Sequence, residues 1–82
     1  NIHPSLLPKY KGLNTHKRVI LNREKYSGCT VHFVNSKLDS GKIILQRKVK
    51  ISKSDTAKSL SEKILIQEHK LYPKAIQKIF SL

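Results

Sequence analysis

An α/β architecture is expected from three features of this 82-residue sequence. A β-branched and aromatic run at residues 29–34 is followed by a second strand-like run at 43–51, where Lys48 and Lys50 alternate with Val49 and Ile51. Ala57, Leu60, Ile64 and Leu71 then recur at spacings that bring apolar groups onto one face of a helix. The first residues, finally, read as the end of a further strand. The layout expected is an open sheet with an antiparallel hairpin and packed helices.

Each element has a local reason. Pro4 biases His3 toward extended backbone, so residues 1–4 read as a strand end running into a turn. Residues 5–12 contain Pro8 and Gly12 and read as a loop. Leu13, Val19, Ile20 and Leu21 suggest a short helix over about residues 13–22, with Thr15 as its N-cap. Tyr26-Ser27-Gly28 reads as a break before the first hairpin strand, and residues 35–41 as the polar connection between the two strands. Ser54-Asp55 offers an N-cap for a helix over about residues 56–71, with the Asp55 carboxylate at the positive end of its dipole. Pro73 is expected to interrupt or kink that helix. Ala75, Ile76, Ile79 and Phe80 would then form the apolar face of a separate closing helix. No internal repeat, low-complexity tract or linker is visible.

Length and composition narrow the possibilities. A chain this short buries only about 60–65% of its unfolded surface, so a self-sufficient core would be marginal. It contains no Met and opens on Asn1-Ile2-His3-Pro4, and it is therefore expected to be truncated on its N-terminal side. No apolar run approaches the roughly 20 residues of a membrane span, and no leader pattern is present, so a cytoplasmic setting is expected. The single Cys29 has no internal disulfide partner and reads as a small buried side chain. The net charge is +12, a balance that raises nucleic-acid binding. Only Arg18, Arg23 and Arg47 of the seventeen basic residues are arginine, however, and the lysines are spread along the chain without a dense cluster. A solvated Lys-rich surface, able to attract phosphates and carboxylates, is the better reading.

A few residues carry chemistry. Asn1 and His3 lie two apart, which in a strand puts both side chains on one face. If that strand belongs to an open α/β sheet, its C-terminal end is where ligands gather. An amide donor and a protonated imidazole suit acyl-type transfer, because both can donate to a developing oxyanion. Asp39, in the connection between the strands, either folds back to orient His3 and raise its pKa or simply serves as a turn residue ahead of Ser40-Gly41. Glu68 falls one turn from Ile64, near the buried side of its helix, where a surface ion pair is the alternative. His3, His16, His32 and His69 lack metal-ligand spacing, so no metal is expected, and His16 and His69 read either as surface groups or as groups standing behind the reacting residues. His32 alternates with Val31 and Phe33 and should face away from them. Gly12, Gly28 and Gly41 are isolated and form no phosphate-cradling loop.

The residues from Asn1 through Lys11-Gly12, then Thr15-His16, resemble the signature of the phosphoribosylglycinamide formyltransferase family. The resemblance continues through Gly28-Cys29-Thr30-Val31-His32-Phe33-Val34, Leu38-Asp39-Ser40-Gly41 and Ile43-Ile44-Leu45-Gln46, and closes with Gln67-Glu68-His69-Lys70-Leu71-Tyr72-Pro73. It covers essentially the whole chain, in order. It implies the C-terminal portion of a formyltransferase fold, so that residues 1–82 would be the C-terminal half of a single domain. The N-terminal half, with its glycine-rich turn for the ribose phosphate, would be absent. The implied reaction moves a formyl group from 10-formyltetrahydrofolate, a co-substrate, to the amine of glycinamide ribonucleotide in purine biosynthesis. Asn1, His3 and Asp39 would be the catalytic trio. Asn1 and the stretch Asn35, Ser36, Lys37, Leu38 and Asp39 would serve the folate, while Leu65 and Glu68 would meet the glycinamide end of the acceptor. Asn14 stands where many bacterial members carry His. The implied partners are small molecules and the missing half of the fold, with no membrane or nucleic acid, and the isolated chain is expected to be inactive.

Two other readings remain. Methionyl-tRNA formyltransferase shares an Asn-x-His pair and a Leu-Asp-x-Gly-like segment, and would give the positive charge a nucleic-acid purpose. It would also need a C-terminal tRNA-binding domain, and the segments Lys11 to His16 and Glu68 to Pro73 resemble the glycinamide enzyme instead. A small basic nucleic-acid-binding module would explain the charge and leave the resemblance as coincidence; it predicts steeply salt-dependent binding.

Overall fold

The computed structural model describes residues 1–34 and 41–80. Three strands and two helices follow in the order β1 (Ile2–His3), α1 (Thr15–Leu21), β2 (Tyr26–His32), β3 (Ile43–Lys50) and α2 (Ala57–Phe80). The strands form one antiparallel sheet in the order β1-β2-β3. An α/β class with an antiparallel hairpin is therefore what the chain adopts.

Both faces of β2 are covered, which is why Ser27 through His32 are all buried. On one face Cys29 and Val31 join Leu60, Ile64, Leu71 and Ala75 of α2 and Val19 of α1 in the apolar core. The spacing of those α2 residues is the helical period read in the sequence, and Leu60 and Ile64 are wholly buried. On the other face, residues 4–12 cross the strand as a loop held by hydrogen bonds. Thr30 Oγ1 donates to the Ser5 carbonyl at 2.6 Å and accepts from the Leu7 N–H at 3.1 Å. Gln46 Nε2 reaches both the Leu7 carbonyl at 2.8 Å and Thr30 Oγ1 at 3.0 Å.

Several local expectations differ from the structure. Tyr26-Ser27-Gly28 does not break the chain before the hairpin. These residues pair with Lys50, Val49 and Lys48 and start β2, which runs to His32 rather than Val34. Gly28 is there for closeness: a Cβ would lie 2.1 Å from the Arg47 carbonyl oxygen and 2.5 Å from the Leu6 side chain. Thr15 is not the N-cap of α1. It is the first helical residue, after Asn14 in left-handed conformation, and its hydroxyl turns back to the Gly12 carbonyl at 3.3 Å.

Pro73 does not end α2, which continues through it as one 24-residue element. The bond Pro73 cannot make is to the His69 carbonyl, and both residues are exposed. Leu71 and Ala75, one on either side, are buried in the core and hold the helix there. The N-cap of α2 is Thr56 rather than Ser54 or Asp55. Thr56 Oγ1 accepts from the Ser59 N–H at 3.1 Å, and Ser59 Oγ accepts from the Thr56 N–H at 2.9 Å, a reciprocal cap. Asp55 instead ties the preceding turn to the helix, accepting from Ser52 N–H (2.8 Å), Ser59 Oγ (2.8 Å) and Lys63 Nζ (2.5 Å). The Lys63 contact, then Ser52 and Ser59, hold its carboxyl well below the usual carboxylate range.

β3 carries one residue more than β2 near its start. Val31 faces Leu45 and His32 faces Ile43, so Ile44 is the extra residue of a bulge. Lys78 of α2 donates to the Ile44 carbonyl at 3.0 Å.

Candidate active site

β1 is short, but its register sets the site. Ile2 faces Val31 and His3 faces Thr30 on the central strand. Just beyond the strand end, the His32 N–H donates to the Asn1 carbonyl at 2.8 Å. Asn1 is exposed and His3 is buried, so the amide stands at the surface while the imidazole lies beneath it.

The loop after β1 wraps around that imidazole. His3 Nε2 lies 2.7 Å from the Tyr10 carbonyl oxygen. A carbonyl can only accept, so Nε2 carries the hydrogen, and in the neutral ring Nδ1 is the acceptor. Thr15 Oγ1 is 3.5 Å from the same nitrogen. The loop reaches this shape through left-handed backbone at Tyr10 (φ 56°), Gly12 (φ 87°) and Asn14 (φ 56°). The two non-glycine positions cost on the order of 1–3 kcal/mol each and persist only where surroundings enforce them.

Two further titratable groups lie within electrostatic reach of His3. Burial pushes the Glu68 carboxyl above its ordinary range, while the charges of His69 and His3 act in the opposite sense. Burial, and then the charge of His3, lower the pKa of His16. Glu68 is half-buried, and with Ile2, Leu65, His69, Tyr72 and Pro73 it lines a hollow of about 410 Å³. A second hollow, about 480 Å³, is bordered by His3, Gly12, Asn14, Thr15 and His16. His3 thus borders one hollow with a second imidazole, while Glu68 lines the other with Ile2, the neighbour of His3 in β1.

Of the residues singled out in the sequence, the structure sets Glu68 and Leu65 in one hollow with Ile2, and places His3, the next residue of β1, on another. Asn1 stands at the start of the same strand as His3. Asn35, Ser36, Lys37, Leu38 and Asp39 lie outside the described residues. Of the two places expected for His16, the structure gives the one behind His3: it is half-buried on the same hollow, because α1 packs its first turn against the β1 loop. His69 is exposed, as expected. Cys29 is fully buried, and burial, with the Glu68 charge adding to it, pushes its thiol up to about 11. That suits a packing residue rather than a nucleophile.

Sequence reasoning missed two groups at this place. One is the Tyr10 backbone carbonyl, which no side-chain pattern can reveal. The other is His32, buried and paired through its backbone to Asn1, with Nδ1 3.0 Å from the Phe33 carbonyl. The only signal the sequence offered for His32 was its alternation with Val31 and Phe33 in a strand. Among the described residues, no three of His, Cys, Asp and Glu are grouped to hold a metal ion, and no helix is long and apolar enough to cross a membrane.

Comparison with known proteins places this geometry in a family. A model of the formyl transferase family matches residues 1–76. The trifunctional purine biosynthetic protein adenosine-3 of Bos taurus is 48% identical over 81 residues, covering 99% of this chain and 8% of that protein. The phosphoribosylglycinamide formyltransferase of Escherichia coli is 46% identical over 76 residues, covering 93% of this chain and 36% of the enzyme. The crystal structure of phosphoribosylglycinamide formyltransferase from Bacillus halodurans superposes with a TM-score of 0.93 at 43% identity, covering 99% of this chain and 42% of that one. The chain spans well under half the length of each of these relatives. With a buried strand-end histidine, a shared fold and a family match across nearly all of its residues, the chain belongs to the formyl transferase family.

Proposed function

We propose that the protein containing this chain transfers a formyl group from 10-formyltetrahydrofolate to the amine of glycinamide ribonucleotide, a step of purine biosynthesis. The observation that carries this reading is the buried His3, its Nε2–H committed to the Tyr10 carbonyl, two residues from Asn1 and bordering a hollow with Thr15 and His16. The names of the similar proteins supply the acceptor, and the formyl transferase family supports a folate-type donor.

The amine nitrogen attacks the formyl carbon, forming the new C–N bond and leaving negative charge on the formyl oxygen. The Asn1 amide and the protonated His3 donate to that oxyanion. The Tyr10 carbonyl, by taking the Nε2–H of His3, fixes the direction in which the ring meets the reacting atoms. The bond from the formyl carbon to the folate nitrogen then breaks, and the proton lost by the amine ends on that nitrogen, by way of His3 or water. Asp39 supports the charged imidazole and relays protons through water. The stretch from Asn35 to Asp39 lines the pteridine pocket, and Leu65 and Glu68 meet the glycinamide end, where a carboxylate accepts from the amine.

The folded unit is the C-terminal half of a single formyltransferase domain, and a further part of the protein binds the ribose phosphate. The edge of β1 not paired with β2 and the exposed apolar residues of α2, among them Ile66, Ile76 and Phe80, suit packing against that part.

The test is a formyl-transfer assay on the full-length protein with both substrates, His3→Ala alongside. Turnover is expected, and His3→Ala should lower kcat/KM by about 10²–10⁴-fold. A folded protein that leaves glycinamide ribonucleotide untouched but formylates an aminoacylated tRNA would replace this acceptor with the tRNA one.

A further inference from the structure

The catalytic reading leaves unexplained what holds the Tyr10 carbonyl on His3. We propose that Arg18 is a positioning residue, fixing the tautomer and direction of the His3 imidazole through the Tyr10 and Lys11 carbonyls. Its kinetic arm rests on the formyl-transfer reading; its structural arm does not.

The geometry is specific. Arg18 rises from α1 and returns over the loop, where Nη2 donates to the Lys11 carbonyl at 2.5 Å and to the Tyr10 carbonyl at 3.3 Å. Its guanidinium also lies over the Tyr10 ring, with Cζ 5.6 Å from the centroid. One planar cation therefore holds two successive carbonyls and one ring of the loop. The residue it grips, Tyr10, has left-handed backbone that would relax if released. Arg18 Nε is buried without a partner, a cost accepted where the Nη2 contacts set the side-chain direction.

The consequence reaches the imidazole through one oxygen. His3 Nε2 and Arg18 Nη2 are both hydrogen-bonded to the Tyr10 carbonyl. While that oxygen is held against Nε2, the neutral ring must carry its hydrogen there. If the loop relaxes, Nε2 loses this acceptor and the Nδ1–H tautomer becomes accessible. His16 borders the same hollow as His3 and Glu68 lies within electrostatic reach, but neither is bonded to this carbonyl, so they act on the charge of the ring rather than on which nitrogen holds the hydrogen. Lysine is only a partial substitute at such a place: an ammonium could reach a carbonyl, but its flexible stem lacks the rigid guanidinium plane that lies over the Tyr10 ring.

The experiment uses the full-length protein with ¹⁵N-labelled histidine, and Arg18→Met and Arg18→Lys beside the unaltered chain. The His3 ring signals are assigned by their loss in His3→Gln, and tautomers are read by NMR at a pH where the ring is neutral. The unaltered protein should show the Nε2–H form. Arg18→Met should give a mixture of tautomers and lower kcat about 10–100-fold, with KM changed less than about 2-fold. Arg18→Lys should fall between the two. A pure Nε2–H signal and unchanged kcat in Arg18→Met would overturn the proposal, as would a loss of kcat with the tautomer unmoved. If Arg18→Met fails to fold, the same outcomes are read from Arg18→Lys. A protein that does not formylate glycinamide ribonucleotide refutes the function proposed above, while the tautomer measurement still decides the role of Arg18.

Discussion

The two faces of β2 are built on opposite principles. Against α2, Cys29 and Val31 meet Leu60, Ile64, Leu71 and Ala75 in an apolar layer with no direction beyond shape. Against the loop of residues 4–12, Thr30 is a polar hub whose hydroxyl engages Ser5, Leu7 and Gln46 at 2.6–3.1 Å. Burial supplies stability in proportion to area and tolerates small displacements, whereas hydrogen bonds fix angles. The face that must aim an imidazole is the one built from hydrogen bonds. Stability and positioning are thus carried by different residues of one strand's surroundings, and substitutions should separate them.

The largest effect on stability is expected on the apolar face. Leu60→Ala leaves a cavity under Cys29 and Val31 and should cost about 2–5 kcal/mol, read from denaturant unfolding of the full-length protein. The residual folded population should keep its kcat. A kcat falling as steeply as stability would mean that the two faces are not independent.

Next comes Thr30→Val, which keeps the shape and removes the hub. The Ser5 carbonyl and the Leu7 N–H lose a buried partner, at a cost of about 1–3 kcal/mol. Here kcat should drop by more than the stability change alone explains, because the loop that carries Tyr10 is released. Equal kcat in the variant would show that the loop is positioned without this hub.

The smallest effect lies away from both faces, at Asp55. Its folded pKa is depressed by Lys63, Ser52 and Ser59, so its contribution is fully present above the unfolded value of about 3.9 and is lost as pH falls toward the folded one. Melting temperature followed from pH 7 downward should show an acid limb beginning near pH 4, and Asp55→Asn should flatten that limb and lower stability at neutral pH. An unchanged limb in the variant would place the acid sensitivity elsewhere.

Much of this was legible in the sequence, in proportion to how local the cause was. The period of Ala57, Leu60, Ile64 and Leu71 announces α2 because a helix repeats its own face. The alternation at Lys48, Val49, Lys50 and Ile51 announces β3 for the same reason. Gly28 and Pro73 misled because their usual meaning is local and their reason here is not. Gly28 makes room for the Arg47 carbonyl and Leu6, residues distant in sequence, and Pro73 is held helical by Leu71 and Ala75 in the core. Whether His16 lay at the surface or behind His3 stayed open, because nothing local says that α1 turns its first residues toward His3.

What the sequence determined by itself was the class of fold, the family and the residue types available for acyl-type chemistry, because periodicity and motif spacing are written along the chain. Tertiary structure alone decided which nitrogen of His3 carries its hydrogen, that His16 borders the same hollow, and that Arg18 grips the loop around it. Each of these depends on a backbone carbonyl, a second imidazole or a cation brought close from another part of the chain. Hydrogen-bond direction and desolvation exist only once the chain has closed on itself.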